Sequence, residues 1–395
     1  MKPNPSIIQI FNRYQHPGGE EASVDRVFRS ISSSYFVHQC LFDSRDWQGP
    51  GAPSLPAQAL RMWRNPEALA RIRSDHEAHQ TNVWLLHNLF PVASAGVYAL
   101  ARKMDVPTIQ YIHNFRPFSV NGYLWANNRI ETAGLKKNFW PEIRAGAWQH
   151  SKIKTAWYAA ILTALHRSGA FKRVNAWIAI SEFMKTTFVE AGIPESKVHV
   201  IRHSWEFQVP MLESFLDKGY YLFMGRLSQE KGVTVLLDVW DRLEKDLQQK
   251  TPHLVLCGEG PLAEEVQIRA RANSHIRFEG RVVGDHKQSL IRECRAMLAP
   301  SLWWEPLGLV TYEAYEHCKP MLAAASGGLT ETVKHDQSGY LHEPGDLESL
   351  MEQILSLESD PGKAAKMGQQ GRKWLESFTS NDQWRDQFNR VLSTL

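Results

Sequence analysis

Twelve short apolar runs, separated by longer stretches of helical periodicity, constrain the folding of this 395-residue chain more than any other feature. In the first half they fall at 7–11, 34–39, 83–87, 108–112, 176–180 and 198–201. In the second half they fall at 220–224, 253–257, 276–278, 297–299, 321–324 and 339–341. Many are continuous rather than alternating, as expected where helices cover both faces of a parallel sheet. Strand and helix in regular alternation predict two doubly wound α/β units.

The pattern breaks between Ser204 and Gly219, and a fresh strand starts at Tyr220. The predicted organisation is therefore a Rossmann-like domain over 1–205, a second over 206–375, and a C-terminal helix over 376–395 that packs back toward the first. Residues 362–395 read as helix, with Trp374, Leu375, Phe378, Trp384, Phe388 and Val391 on its apolar face. The segment 115–150, rich in Asn, Arg and aromatics, predicts a long functional loop. No apolar run reaches the roughly 18 residues of a membrane helix. The opening stretch Ile7-Ile8-Gln9-Ile10-Phe11 is too brief for a signal-sequence core and reads as a buried strand. Cys40, Cys257, Cys294 and Cys318 are widely spaced, which fits reduced thiols of a cytosolic protein.

The net charge of +3 conceals an asymmetry. Residues 1–210 carry 24 Lys+Arg against 15 Asp+Glu, whereas the remainder carries 21 against 27. The first half is thus expected to meet something anionic. Its basic residues concentrate in 129–173, interleaved with Phe139, Trp140, Trp148, Trp157 and Tyr158. Two readings stand: a solvated helix face over an aromatic core stripe, or a surface that touches anionic lipid headgroups or a lipid-linked acceptor.

Ligands of open α/β sheets sit outside the carboxyl ends of the strands, so the segments that follow strands are where chemistry is expected. After the first strand, Asn12-Arg13-Tyr14-Gln15-His16-Pro17-Gly18-Gly19 leads into a helix, and paired glycines there allow close backbone approach to an anion. After 220–224, Arg226 and Lys231 are close enough to converge on one diphosphate, the first with a planar fork, the second as a point charge. Gly258-Glu259-Gly260 starts like a dinucleotide fingerprint but lacks the third glycine. The most specific segment runs from Ser301 to Ala314. It places Glu305 before a helix and Glu313 in its opening turns, with Pro306 and Gly308 in the intervening loop. Such a helix start points N–H groups at a phosphate or sugar while carboxylates accept from sugar hydroxyls. Ser326-Gly327-Gly328 offers a second helix start beside it.

Taken together, these motifs resemble the family 4 glycosyltransferases. The resemblance rests on Gly225-Arg226 with Glu230-Lys231-Gly232, on Glu305 and Glu313 with seven residues between them, and on Gly18-Gly19, His87-Asn88, His113-Asn114, Gly258-Glu259-Gly260 and Gly327-Gly328 in the same order. It covers about 7–346 and implies a GT-B fold, two Rossmann-like domains facing a cleft. It implies a retaining transfer from a nucleotide diphosphate sugar, UDP favoured over GDP, to a saccharide or lipid-linked acceptor. Cell-surface polysaccharide or glycolipid synthesis would be the setting. The implied roles are diphosphate neutralisation by Arg226 and Lys231, contacts from Gly18 and Gly19, and a nucleobase flanked by Val282. Glu305 would hold sugar hydroxyls with backbone help from Leu307, Gly308 and Leu309. Glu313 would hold the ribose, and His113 would line the site near the transferred sugar. No cofactor or metal is expected, since the cations and helix starts supply the electrostatics. The chain departs from the family at Arg202-His203-Ser204, where a Pro-Asn-Gly turn is common, and at Phe118-Ser119-Val120. Both departures bear on the acceptor. A nucleotide-sugar epimerase or hydrolase on the same fold and a silent nucleotide-sugar binder remain alternatives. Nucleic acid is not an expected partner. The expected location is the cytoplasm, at the inner face of the membrane if 129–173 touches lipid.

Overall fold

The computed structural model describes residues 5–15, 18–210 and 216–395. His16 and Pro17 of the first glycine turn lie outside the described residues. The chain forms two compact units, one made of Met1–Ala126, Glu131–Ser204 and Asn381–Leu395, the other of Asn127–Ile130 and Trp205–Ser380.

The first unit is built on a six-stranded parallel sheet. Its strands are β1 (Ile7–Arg13), β2 (Val37–Asp43), β3 (Val83–Leu86), β4 (Thr108–Ile112), β5 (Ala176–Ala179) and β6 (Val198–Val200), in the order β2-β1-β3-β4-β5-β6. The central strands β3, β4 and β5 are buried along their whole length, which explains their unbroken apolar runs. The edge strand β2 is only half-buried, and its position corrects the expected 34–39. It pairs with β1 from Ile7↔Val37 to Arg13↔Asp43, so it begins at Val37, and Phe36 is left exposed before it. An edge strand need not be apolar on both faces, so the Tyr35-Phe36 pair was a misleading marker.

The second unit repeats the architecture with strands β7 (Tyr220–Met224), β8 (His253–Cys257), β9 (Ile276–Gly280), β10 (Ala296–Ala299), β11 (Met321–Ala324) and β12 (Gly339–His342). All are parallel, in the order β9-β8-β7-β10-β11-β12. The helix Val233–Leu247 buries Val233, Leu236, Leu237, Trp240 and Leu243 against this sheet, and Trp240 donates its indole N–H to Pro252 O at 2.7 Å.

Two expectations need correction. Residues 362–395 are not one helix but two, Pro361–Phe378 and Asn381–Leu392. Leu375 is buried in the second unit, while Trp384, Phe388 and Val391 are buried in the first. Phe378, at the end of the earlier helix, is exposed rather than on an apolar face. The later helix is tied to the first unit by Tyr35 Oη, which donates to Asn389 Oδ1 at 2.6 Å, and by Ser30 Oγ, which donates to Asn381 Oδ1 at 3.1 Å. The expected loop 115–150 also contains the helix Trp140–Ala145. It is held by the buried Glu142 carboxylate, which accepts from Ser119 Oγ at 2.7 Å and Val120 N at 3.0 Å. All four cysteines are buried, and none is in a disulfide.

Candidate active site

In each sheet there is one point where the strand order reverses, and crevices for ligands form at the carboxyl ends there. In the second unit it lies between β7 and β10, the first and fourth strands in sequence. The loop after β7 carries Arg226 and Lys231, and the loop after β10 carries Glu305. The sheet topology alone thus makes these loops neighbours.

Backbone contacts fix them together. Leu302 N and Trp303 N donate to Glu230 O at 2.9 and 3.3 Å. Gly232 turns with φ +73°, and a Cβ there would stand 1.9 Å from Pro300 O, so only glycine fits. Below them, Gly328 N donates to Glu305 O at 2.7 Å, and a Cβ at Gly327 would meet that carbonyl at 2.3 Å.

Lys231 Nζ lies 2.7 Å from Glu305 Oε1 and 4.8 Å from the centre of the Trp303 ring. Ser301 Oγ and Trp303 Nε1 donate to the same oxygen at 2.6 and 2.9 Å. Glu305 is nearly buried. Burial on its own would raise its pKa, but the ammonium of Lys231 and the three hydrogen bonds outweigh it and hold the carboxyl below its usual value. Oε2 receives no hydrogen bond from the described residues. Arg226 pairs with Glu230, which also accepts from Ser228 Oγ at 2.8 Å.

The helix Leu309–Glu316 begins just after Gly308, whose φ of +84° sets the turn. Its first N–H groups have no intrahelical acceptors. Leu307 is buried, Gly308 and Leu309 are half-buried, and Glu313, one turn in, is paired with Lys287 at 2.8 Å. Val282 follows β9, two strands away on the same carboxyl edge, and is half-buried. Arg226, Lys231, Glu305 and the 307–309 turn are therefore gathered at the β7/β10 reversal, while Val282 stands further along.

In the first unit the order reverses between β1 and β3. Gly18 and Gly19 lie at the start of the helix Gly19–Ser32, and both are exposed. Gly18 is extended at φ −144°, and a Cβ on it would meet nothing within 4 Å. His113 follows β4 and stacks between His87 and His203, with ring centres 5.1 and 5.5 Å away. The hydrogen-bond chain through His87 fixes its tautomer. Gln9 gives its amide N–H groups to Val24 O at 3.1 Å and to His87 Nε2 at 3.0 Å, and its Oε1 accepts from Gln39 at 2.9 Å. His87 Nε2 is thus an acceptor, its proton is on Nδ1, and that proton is donated to His113 Nε2 at 2.8 Å. His113 then carries its own proton on Nδ1, where it finds no acceptor. Burial lowers the His113 pKa to about 3 and that of His87 well below its usual value, so both rings are neutral at neutral pH.

The sequence reading missed Gln9, although a lone amide inside Ile7-Ile8-Gln9-Ile10-Phe11 was a visible irregularity. It also missed Ser301 and Trp303, which orient Glu305 from within the motif already singled out. The aromatics of 129–173 differ in burial. Phe139 and Tyr158 are buried, whereas Trp140 is 61% exposed and Trp157 shares a surface with Ile153, 84% exposed.

These features define the class: an α/β protein of the GT-B type, with a cation–carboxylate pair where the strand order reverses. Comparison with known proteins makes the assignment specific. Residues 39–204 match the family description Glycosyltransferase Family 4, and 206–374 match Glycosyl transferases group 1. The chain belongs to the glycosyltransferases of the family 4 type. It is 23% identical to the sulfoquinovosyl transferase SQD2 of Arabidopsis thaliana over 94% of this chain and 66% of that protein. It is 28% identical to the alpha-maltose-1-phosphate synthase of Mycolicibacterium smegmatis over 53% of this chain and 61% of that one. The chain thus spans a little under two thirds of these curated relatives. The crystal structure of Anabaena HepE in complex with UDP-glucose shares the fold at a TM-score of 0.69 and 17% identity, covering 99% of this chain and all of that one.

Proposed function

We propose that the protein transfers a sugar, with retention of configuration, from a UDP-sugar to a saccharide or lipid-linked acceptor in cell-surface polysaccharide or glycolipid synthesis. The observation that carries this reading is the Lys231–Glu305 pair at the β7/β10 reversal. A cation that meets the departing diphosphate stands beside a carboxylate with one oxygen still open to a sugar hydroxyl. UDP is favoured over GDP, and the UDP-glucose complex of a protein of the same fold supports that preference.

In the proposed roles the first unit takes the acceptor and the second the sugar donor. Arg226, Lys231 and the N–H groups of Gly18 and Gly19 stabilise the diphosphate. Glu305 and the 307–309 backbone hold the sugar, Glu313 the ribose, and Val282 the base. His113 lines the site near the transferred sugar. The bond from the anomeric carbon to the diphosphate oxygen breaks, the acceptor oxygen attacks from the same face, and its proton passes to the departing oxygen. Stabilising charge on the leaving group is the main catalytic requirement, and it is met without a metal in this proposal.

We further propose that 129–173 rests on an anionic membrane at the cytoplasmic face. On the helix Lys152–Arg167, Ile153, Trp157 and Ala160 form an exposed stripe flanked by Lys152 and Lys154. The indole N–H of Trp157 donates to Ala59 O at 2.8 Å, which joins this stripe to the exposed Leu60 and Trp63 of the helix Leu55–Trp63. Neither helix carries an acidic residue. Apolar side chains ringed by lysine and arginine suit a lipid interface.

The test is a thermal-shift panel of UDP, GDP and their sugars, since a ligand of the native state raises Tm by mass action. Stabilisation by UDP-sugars, and UDP release that is abolished in Lys231→Ala, is the expected result. No stabilisation by any nucleotide would refute the reading.

A further inference from the structure

The first unit holds a second polar cluster, distinct from the residues that would grip the diphosphate. A small recess of about 30 Å³ is lined by Glu20, His87, His113, Asn114 and Arg116, with Tyr98 and Phe171 among its apolar walls. It lies past the carboxyl ends of β3 and β4, where a ligand of this sheet is expected.

Two N–H groups in it are unsatisfied. Arg116 sits over the rings of Tyr14 and Tyr158, at 5.5 and 5.9 Å from their centres. Its guanidinium makes one long hydrogen bond, to Tyr158 Oη at 3.5 Å, and no ion pair among the described residues. Its Nε is shielded from solvent and has no acceptor. The His113 Nδ1–H is in the same condition. Shielded polar groups in folded proteins are nearly always paired, so two orphans in one recess point to a missing partner. A sheltered guanidinium without a counter-ion sets the sign of that partner.

The nearest acid does not fill the role. Glu20 accepts from Tyr14 Oη at 2.8 Å and from Asn114 Nδ2 at 2.9 Å, and it lies beyond ion-pair distance of Arg116. Burial pushes its carboxyl up to about 7, so at neutral pH it is only partly ionised and offsets only part of the Arg116 charge. A saccharide hydroxyl could accept from either N–H but could not neutralise the guanidinium.

We propose that this recess is an anion-binding subsite that takes a phosphate or carboxylate carried by the sugar acceptor, with Arg116 and the Nδ1–H of His113 as its donors. The proposal rests on the glycosyltransferase reading, and it narrows the acceptor to an acidic saccharide or a sugar phosphate. Arg116 sits in the sequence just after His113-Asn114, so the residues that face the transferred sugar and those that read the acceptor share one loop.

The test titrates three probes into protein held in saturating UDP, which occupies the diphosphate site: methyl α-glucoside, methyl α-glucuronide and methyl α-glucoside 6-phosphate. At least one charged probe is expected to bind tenfold or more tighter than the neutral one. Arg116→Gln removes that preference, Arg116→Lys keeps part of it, and Glu20→Gln strengthens charged-probe binding several-fold by deleting the opposing acid. Equal binding of all three probes, no binding of either charged probe, or a preference that survives Arg116→Gln would overturn the subsite. Should Arg116→Gln fail to fold, Glu20→Gln decides, and an unchanged or weakened affinity there also overturns it. Absence of stabilisation by UDP counts against the nucleotide-sugar reading alone, because the probe titration reads the recess with or without UDP.

Discussion

Lys231 and Glu305, 74 positions apart in the chain, meet at 2.7 Å, and every hydrogen bond to that carboxylate lands on the same oxygen. The pair is sheltered, so removing one partner leaves the other uncompensated. Lys231→Ala is expected to lower unfolding stability by about 3 kcal/mol, and Lys231→Ala with Glu305→Gln to recover much of the loss. Urea unfolding of the two variants measures this. The pH dependence has a definite sign. The folded carboxyl is held below its unfolded value, so the stabilisation is complete above about pH 4.5 and fades as pH falls through the folded value. The gap between wild type and Glu305→Gln should therefore narrow on acidification below pH 4.5.

Gly18 separates folding from function. Its extended backbone suits any residue, and its Cβ position is open. Gly18→Val is expected to leave Tm within about 2 °C, because a Cβ there meets no described atom within 4 Å. If the glycine is there to admit a diphosphate, UDP release from UDP-glucose should fall at least tenfold. A variant as active as the wild type would show that no ligand approaches this turn closely.

The stacked histidines predict acid sensitivity of the first unit. His113 has a folded pKa of about 3 against about 6.5 unfolded, so the unfolded chain takes up its proton first. Stability is lost as pH falls from about 6.5 toward 3, by about 1.4 kcal/mol per pH unit for this ring. Glu20 acts in the opposite sense: its folded value of about 7 exceeds the unfolded one, so its contribution is present below about pH 4.5 and lost as pH rises through 7. The destabilisation caused by His113→Gln should shrink by about 1 kcal/mol between pH 7.5 and pH 5.5. Nitrogen NMR should find His113 protonated at Nδ1, and an Nε2–H tautomer would contradict the Gln9–His87 chain.

Lipid contact is readable without any substrate. Sedimentation with vesicles rich in phosphatidylglycerol should retain the wild type, and Ile153→Asp with Trp157→Asp should release it. Neutral phosphatidylcholine vesicles should bind far less, with added salt weakening what remains. Equal binding to both vesicle types would remove the basic residues from the argument.

Much of this was legible in the sequence for physical reasons that can be named. Strands buried on both faces announce themselves as unbroken apolar runs, which is why β3, β4 and β5 stood out. The half-buried edge strand β2 carries no such signal, and its start was misplaced by an exposed Phe36. Arg226, Lys231 and Glu305 were readable because each follows a strand, and strand ends converge once the topology is doubly wound. Glu20 and Arg116 were not, because their significance lies in what they fail to touch. That depends on the packing of Tyr14 and Tyr158, which no spacing encodes. The break at Thr379–Ser380 was hidden because both flanking helices are amphipathic and their apolar positions run on across it.

The carbonyl of Glu230 that takes both N–H groups of the 302–303 turn has a consequence for engineering. The segments after β7 and β10 cannot be exchanged singly with those of a homologue, because each is moulded to the other at Gly232 and Pro300. Grafts meant to alter sugar selectivity will keep the fold only when both segments are transplanted as one cassette.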